Sequence, residues 1–279
     1  MTSNHNTTVR DVNNQIAEGY DRPGSYFFLP TALKMIEYLE FQPNDNVLDV
    51  CTGTGFLALN IAEQNPLLQV TGIDIAERMV EQAVRKANDS GLSNVTFQQM
   101  DLNNLRFADG TFDMALCNYG IFFLEDIHRG LQQMRNKTKA GGIIAFSVYD
   151  VNAFAELVSI LKAEYQAFRE NLSREDIPPW KASSSAWKLL SSDESIRDLC
   201  YQVGFQDVSV YHEPQGFELK KGEVWWDIIW YSTYRHILQN FTSEELALFK
   251  QKHLLTVDNL CGDKGYWVDT SSIIIVCKQ

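Results

Sequence analysis

The sequence predicts a doubly wound α/β fold, a parallel sheet with helices on both faces, and three observations carry that prediction. From Asn46 to Val148, short β-like apolar runs alternate with helix-length stretches. Such alternation requires right-handed crossovers and therefore parallel strands. The first strand runs directly into a glycine-rich turn, Cys51-Thr52-Gly53-Thr54-Gly55, that opens a helix. Three acids, Asp49, Asp74 and Asp101, stand at or near the carboxyl ends of three successive strands, the edge where ligands bind in open α/β sheets.

The elements follow in order. Asn46–Val50 is a strand, and a helix follows from about Gly55 to Gln64. Gln69–Asp74 is the second strand. The helix from about Ala76 to Ser90 sets Met79, Ala83 and Ala87 on one face. Val95–Met100 and Phe112–Asn118 read as the third and fourth strands. A helix from about Glu125 to Thr138 is expected to end on Gly141-Gly142, before a fifth strand at Ile143–Val148. Val151–Asn171 is a long helical stretch broken by Pro178-Pro179-Trp180. Asp193–Val203 is a helix ended by Gly204, and Gln206–His212 is a sixth strand. A tryptophan-rich helical insert spans about Gly222 to Leu255, and Ser272–Cys277 is a last apolar strand. The polar residues Thr2–Thr8 are expected to fray.

The turn after the first strand bears on ligand class. Glycines there let the backbone bend and let a ligand approach without a Cβ in the way. The helix amino end behind it offers unpaired amides. Gly53-Thr54-Gly55-Phe56-Leu57-Ala58 also fits a dinucleotide fingerprint, with Asp74 the expected ~20 residues further on, so an NAD(P)-dependent oxidoreductase reads the same way at this point. Asp49 separates the two readings. A carboxylate before the turn repels a pyrophosphate but welcomes an ammonium or a sulfonium. Asp74 is placed to accept both ribose hydroxyls, and Asp101 with Leu102 to read and cover an adenine. The set suits a net cationic adenosyl ligand better than a diphosphate.

These residues resemble the class I S-adenosylmethionine-dependent methyltransferases. VLDVCTGTG is similar to the glycine-rich first motif, GIDIAERMVEQA to the second, QMDLNNL to the third, FDMALCNYGIFFLEDI to the fourth, and KAGGIIAFSVYD to the lead into the fifth strand. The likeness covers about Asp45 to Tyr149 and returns in the last strand, and its style is that of the quinone-biosynthesis (ubiquinone/menaquinone) C-methyltransferases. It implies a Rossmann-like seven-stranded sheet of order 3-2-1-4-5-7-6, the last strand antiparallel, with S-adenosyl-L-methionine as cofactor. It further implies that Asp49 and the backbone of Cys51, Thr52 and Gly53, at the Gly53–Gly55 turn, hold the methionine moiety. Asp74 would hold the ribose, Ile75 and Met79 would pack the adenine, Asp101 and Leu102 would cap its edge, and Asn118 would lie under the methionine end. The segment Ala17–Arg22 resembles an element that closes over the cofactor, with Tyr20 closing the site. Cys51 replaces the usual glycine or alanine. Residues 213–270 replace a short hairpin, so a relative's acceptor does not transfer.

The expected organisation is an N-terminal helical cap (1–40), a cofactor-binding core (41–150), a helical insertion (151–192), a core helix and strand (193–212), a tryptophan-rich lid (213–270) and a last core strand (271–279). The reading is a methyltransferase for a small apolar or aromatic acceptor. Its alternatives are the oxidoreductase and a non-catalytic S-adenosylmethionine-binding protein. Methyl transfer needs a base only if the acceptor must lose a proton. The candidates are His212, Tyr149 and Asp150 near the ligand edge and His128 within a helix; His236 and His253 read as structural. Tyr26, Phe27 and Phe28 form a candidate aromatic lip.

Composition bounds the partners. Lys+Arg 24 against Asp+Glu 36 gives a net charge of −12, which repels phosphate backbones, so nucleic acid is not expected. The cysteines Cys51, Cys117, Cys200, Cys261 and Cys277 are scattered without CxxC spacing, so no metal is expected and a reducing, cytoplasmic setting fits. Met1–Arg10 lacks the apolar core of a secretory leader, and no apolar run is long enough for a membrane span. Trp225-Trp226-Asp227-Ile228-Ile229-Trp230-Tyr231 is apolar almost all round. It must be covered on more than one side, by the neighbouring helix, by substrate, or by a second copy of the chain in a homodimer.

Overall fold

The computed structural model describes residues 3–24, 26–172, 174–180 and 185–279. The chain opens with helices α1 (Ser3–Ile16), α2 (Asp21–Gly24) and α3 (Phe28–Glu37). The core continues with β1 (Asn46–Val50), α4 (Phe56–Gln64), β2 (Gln69–Asp74), α5 (Glu77–Asp89), β3 (Val95–Gln99), β4 (Phe112–Asn118), α6 (Ile127–Lys137) and β5 (Thr138–Tyr149). Short 3-10 turns, Leu102–Asn104 and Ile121–Phe123, flank β4. After β5 come α7 (Ala155–Leu172), α8 (Ser185–Leu189), α9 (Asp193–Val203), β6 (Asp207–Glu213), β7 (Gly216–Leu219), α10 (Gly222–Trp230), α11 (Arg235–Leu238), α12 (Ser243–Cys261), β8 (Tyr266–Asp269) and β9 (Ser272–Lys278).

Seven strands form one sheet in the order β3-β2-β1-β4-β5-β9-β6. β1 to β5 are parallel, and β9 enters antiparallel between β5 and β6. Counted among the sheet's own strands, β9 is the seventh, so this is the Rossmann-like order 3-2-1-4-5-7-6. One face buries Leu48, Ile73 and Phe146 under α6 and α9. The other buries Val47, Val70 and Leu116 under α3 and α4. Strands buried on both faces explain why β1, β4 and β9 read as continuous apolar runs rather than alternating ones.

Three boundaries differ from expectation. Helix α6 stops at Lys137, where the Thr138 hydroxyl donates to the Met134 carbonyl, and the chain turns at once into β5. Gly141 and Gly142 are therefore inside a strand rather than at a helix end. The step from Phe112 to Met114 on β4 faces the span from Thr138 to Ile143 on β5, and the extra residues bulge out at Gly141. Helix α7 starts only at Ala155, because residues 151–154 turn and Phe154 takes a left-handed φ of 57°. The amino end, expected to fray over Thr2–Thr8, is helical from Ser3, while Thr2 lies outside the described residues, as do residues 173 and 181–184.

The insert between β6 and β9 is three helices plus a two-stranded antiparallel ribbon, β7–β8, which periodicity did not reveal in four-residue strands. It has its own apolar core, with Trp225, Trp226, Ile228 and Ile229 of α10 packed among Leu161, Tyr165, Phe249 and Val257 of α7 and α12. The helix that is apolar all round is thus covered within its own chain. Its core holds one buried polar relay. The Trp225 indole donates to His253 Nε2 (2.9 Å), His253 Nδ1 meets Glu164 Oε2 (2.5 Å), and the Thr256 hydroxyl donates to Glu164 Oε1 (2.6 Å). The indole proton leaves Nε2 no room for its own, so the ring is neutral with its proton on Nδ1. Burial pushes His253 below the ordinary histidine value, against the pull of Glu164.

A depressed histidine stabilises the fold above its unfolded pKa of 6.5 and loses that contribution as pH falls through the lower folded value. Near-ultraviolet circular dichroism of the tryptophans should report loosening of the insert under mild acid. His253→Phe should cost about 1–3 kcal/mol, by orphaning the Trp225 and Glu164 groups, and remove that acid sensitivity. An acid transition unchanged in the variant would mean that other groups drive it.

Candidate functional site

The site lies at the carboxyl edge of the sheet, where β1, β2 and β4 end. Gly55 takes φ 87° to start α4, and a Cβ there would press on Leu59 and Ala83 at 3.1–3.2 Å. The turn so formed holds Asp49 at 1% exposure. The Thr52 hydroxyl donates to Asp49 Oδ2 (2.6 Å), while Oδ1 is buried without a hydrogen-bond partner among the described residues. Burial lifts Asp49 to about 7, against the stabilising Thr52 bond. Asp74 is also buried and accepts the Gly53 amide (2.9 Å) and the Ala76 amide (2.8 Å). Burial raises its pKa too, with those amides opposing.

A small cavity opens between these groups, with about 20 Å³ of free space, close to what one water needs. Asp49, Cys51, Thr52 and Gly53 form its floor, with Asn118 at one side. Tyr20 and Phe28 roof it, stacked with centroids 5.2 Å apart. Asn118 donates to the Phe28 carbonyl (3.1 Å) and accepts from the Ser147 hydroxyl (2.7 Å), which ties the roof to β4 and β5. Asp21, next to Tyr20, accepts from the Thr54 hydroxyl and pairs with Lys86 (2.9 Å). Ile16 and Ala17 pack on Ala76 and Met79, with Tyr20 and Tyr231 against them. Gly19 admits the Tyr231 ring so closely that a Cβ would lie 1.9 Å from it. The strap from Ile16 to Asp21 is thus held between the glycine loop and the insert.

The structure brings together Tyr20, Asp49, Cys51, Thr52, Gly53 and Asn118, and sets Asp74 and Met79 beside them. Gly55 shapes the turn from below. Ile75 contributes its carbonyl to Gln99 Nε2 (3.1 Å) and does not line the cavity. Asp101 and Leu102 also do not. Asp101 caps the following 3-10 turn through the Asn103 amide (2.8 Å), and Leu102 is buried in the core with Met100 and Leu105. Phe28, Phe56 and Leu57 line the cavity without having been read as site residues, except Phe28 as part of the lip. Of that lip, Phe27 is buried against Phe28, Tyr149 and Phe154, whereas Tyr26 is exposed and stacks on Phe217 of the ribbon.

The candidate bases separate. His128 meets Gln202 (2.9 Å) on the α6–α9 surface, away from the cavity. His212 has both nitrogens on carboxylates, Nε2 on Asp193 (2.8 Å) and Nδ1 on Asp150 (3.2 Å). Asp193 foremost, then Asp150, raises its pKa. With both ring nitrogens on carboxylates, His212 is engaged with Asp193 and Asp150. Tyr149 alone of the four stands in the aromatic wall beside the roof, its ring 4.3 Å from Tyr119. Among the described residues no group of His, Cys, Asp and Glu forms a metal site.

A family model described as a methyltransferase domain matches residues 41–200. The chain belongs to the class I S-adenosylmethionine-dependent methyltransferases. This methyltransferase is 30% identical over 165 residues to the ubiquinone/menaquinone biosynthesis C-methyltransferase UbiE of Bdellovibrio bacteriovorus, covering 56% of the chain and 70% of that protein. It is 34% identical over 145 residues to the demethylmenaquinone methyltransferase of Desulfitobacterium hafniense, of which it spans 56%. Its fold matches the YcgJ protein of a Bacillus at a TM-score of 0.58 and 17% identity, over 89% of this chain and 97% of that one. The methyltransferase uses S-adenosylmethionine, and no helix among its described residues is long and apolar enough to cross a membrane.

The strap has a measurable fastening. Asp21→Asn, which removes the Lys86 ion pair, should raise amide hydrogen exchange across residues 16–24 with little change in melting temperature, since a half-exposed pair contributes about 0–1 kcal/mol. Unchanged exchange would show that packing against Tyr231, Ala76 and Met79 holds the strap by itself.

Proposed function

We propose that the methyltransferase transfers a methyl group to a small, planar, apolar or aromatic acceptor seated between the strand ends and the insert, in the cytoplasm. The observation that carries the acceptor class is the wall of rings that begins at the cavity roof, running Tyr20–Phe28–Tyr119–Tyr149 with centroids 5.2, 5.3 and 4.3 Å apart. Aromatic faces at such spacings favour another ring and disfavour a charged chain. The names of the Bdellovibrio and Desulfitobacterium relatives place them in quinone chemistry, consistent with a planar acceptor. Five free cysteines support the reducing compartment.

The residues at the cavity fit the cofactor. Asp49 presents a buried oxygen with no partner, which a cationic ligand group satisfies. In this reading Asp49 and the Cys51–Gly53 backbone hold the methionine end with Asn118 beside it, Asp74 holds the ribose, and Met79 and Ile75 the adenine. S-adenosylmethionine, when bound, supplies a methyl group activated on a sulfonium. Tyr20 and Phe28 exclude water, and a water-poor, aromatic enclosure favours dispersal of positive charge in the transition state. Alignment by the walls supplies most of the acceleration, up to about 7–11 kcal/mol. With about 20 Å³ beneath the roof, the Tyr20 strap must lift for entry.

The insert serves as the lid in this reading, through different residues than its sequence suggests. Trp226 faces Phe249 and His253 in the insert's own core, whereas Trp225 reaches Phe154 (5.9 Å), which abuts Tyr149. Because α10 is covered within the chain, a homodimer has no special support from it.

Calorimetry should show binding of S-adenosylmethionine and S-adenosylhomocysteine and none of NAD. NAD binding without either adenosyl ligand would sink the function. Asp49 adds a pH signature. Its folded pKa of about 7 means that a cationic ligand must displace a proton below that value. Affinity should therefore fall by up to about tenfold per pH unit below ~7, with proton release on binding. Asp49→Asn should weaken binding and flatten the profile; a flat profile in the unaltered protein would separate Asp49 from the ligand's charge.

A further inference from the structure

The rings at the edge of the site differ in what their hydroxyls do. The Tyr119 hydroxyl is fully engaged, with the Thr31 hydroxyl at 2.9 Å and Gln215 Nε2 donating at 3.3 Å. It belongs to a structural network joining α3, β4 and β9. The Tyr149 hydroxyl, on the neighbouring strand, makes no hydrogen bond to any described residue. Its ring is half-buried among other aromatic rings. Phe122 lies 5.6 Å away, Phe154 5.8 Å, Phe27 6.1 Å and Trp187 6.4 Å, each from a different segment. Burial holds the Tyr149 phenol far above its ordinary range, and the neighbours that add to this are themselves phenols: Tyr119, then Tyr20, then Tyr234. Tyr149 thus stands between Phe27, which abuts the roof residue Phe28, and Phe154, which abuts Trp225 of the insert.

A half-buried phenol, flanked by rings and left without a partner among the described residues, keeps its hydroxyl available to a ligand oxygen. Position agrees with this. Ser147, which pairs in register with Asn118 at the side of the cavity, lies two residues before Tyr149 on β5, so both side chains leave the same face of the sheet. The other polar groups at this edge, His212 and Asp150, are bound to one another.

We propose that Tyr149 orients the methyl acceptor by donating its hydroxyl hydrogen to an uncharged oxygen, a hydroxyl or a carbonyl, on a planar acceptor. This rests on the methyltransferase reading of the same site. No proton is transferred, because the phenol stays protonated throughout. Tyr149 fixes which edge of the acceptor turns toward the cofactor and selects rings that carry an oxygen over bare hydrocarbon.

The test uses the full chain saturated with S-adenosylhomocysteine and titrated with 2-naphthol or naphthalene, followed by tryptophan fluorescence. The unaltered protein should bind 2-naphthol about three- to tenfold more tightly than naphthalene, the span of one net hydrogen bond. Tyr149→Phe, which keeps the ring, should abolish that preference while leaving naphthalene and S-adenosylhomocysteine affinities unchanged. Tyr119→Phe should lower the melting temperature but keep the preference. A preference that survives in Tyr149→Phe overturns the inference, as does failure of both probes to bind the loaded protein. Loss of S-adenosylhomocysteine binding in Tyr149→Phe alone also overturns it, by assigning the hydroxyl to the cofactor site. If the unaltered protein itself does not bind S-adenosylhomocysteine, the functional reading falls first, and the inference with it.

Discussion

A carboxylate buried at the end of a strand is the constraint around which the rest of this site is arranged. Asp49 is almost fully enclosed, and taking an ionised group out of water costs several kcal/mol unless hydrogen bonds or an opposite charge compensate. The Thr52 hydroxyl meets one oxygen, and the other has no hydrogen-bond partner among the described residues. The neighbouring Asp74 has the same problem and solves it with two backbone amides from the loop and from the start of α5. The glycine loop therefore serves two purposes. Its shape keeps the acids apart, and its Gly53 amide helps to satisfy one of them while its Thr52 hydroxyl meets the other.

The roof follows from the floor. Tyr20 and Phe28 cover the cavity with aromatic faces and so add to the burial that raises the pKa of the Asp49 carboxyl. Their positions are fixed from three directions. Asn118 holds the Phe28 carbonyl, Thr54 and Lys86 hold Asp21, and the insert presses Tyr231 onto Gly19. The insert is thus mechanically continuous with the strap. Its polar relay through His253 keeps α7, α10 and α12 in one register, and α10 carries at its end the tyrosine that touches the strap. The roof and the insert meet at that contact.

Much of the fold was legible in the sequence because its signals are local. β1, β2 and β4 run over the residues their apolar runs predict, and α9 starts and stops at its capping serine and Gly204. The ribbon β7–β8 was not legible, since two four-residue strands have too short a period to register and pair only across the whole insert. Gly141-Gly142 misled for a related reason. A glycine pair marks a positive φ equally well in a helix cap and in a bulge, and only the partner strand decides between them.

The sequence by itself determined the alternation of strands and helices, the glycine turn and the acids at the strand ends, because each depends on the backbone preferences of neighbouring residues. The tertiary structure decided which side chains share a space. It joined Phe28, Phe56 and Lys86 to the glycine loop, turned Leu102 into the core, and bound His212 between two carboxylates. It also set Trp226 inward and placed the Tyr149 ring among five other rings, its hydroxyl without a hydrogen bond to any described residue. Those outcomes depend on what packs opposite each side chain, and residues from the strap, the strand ends and the insert meet there only once the sheet has closed between them.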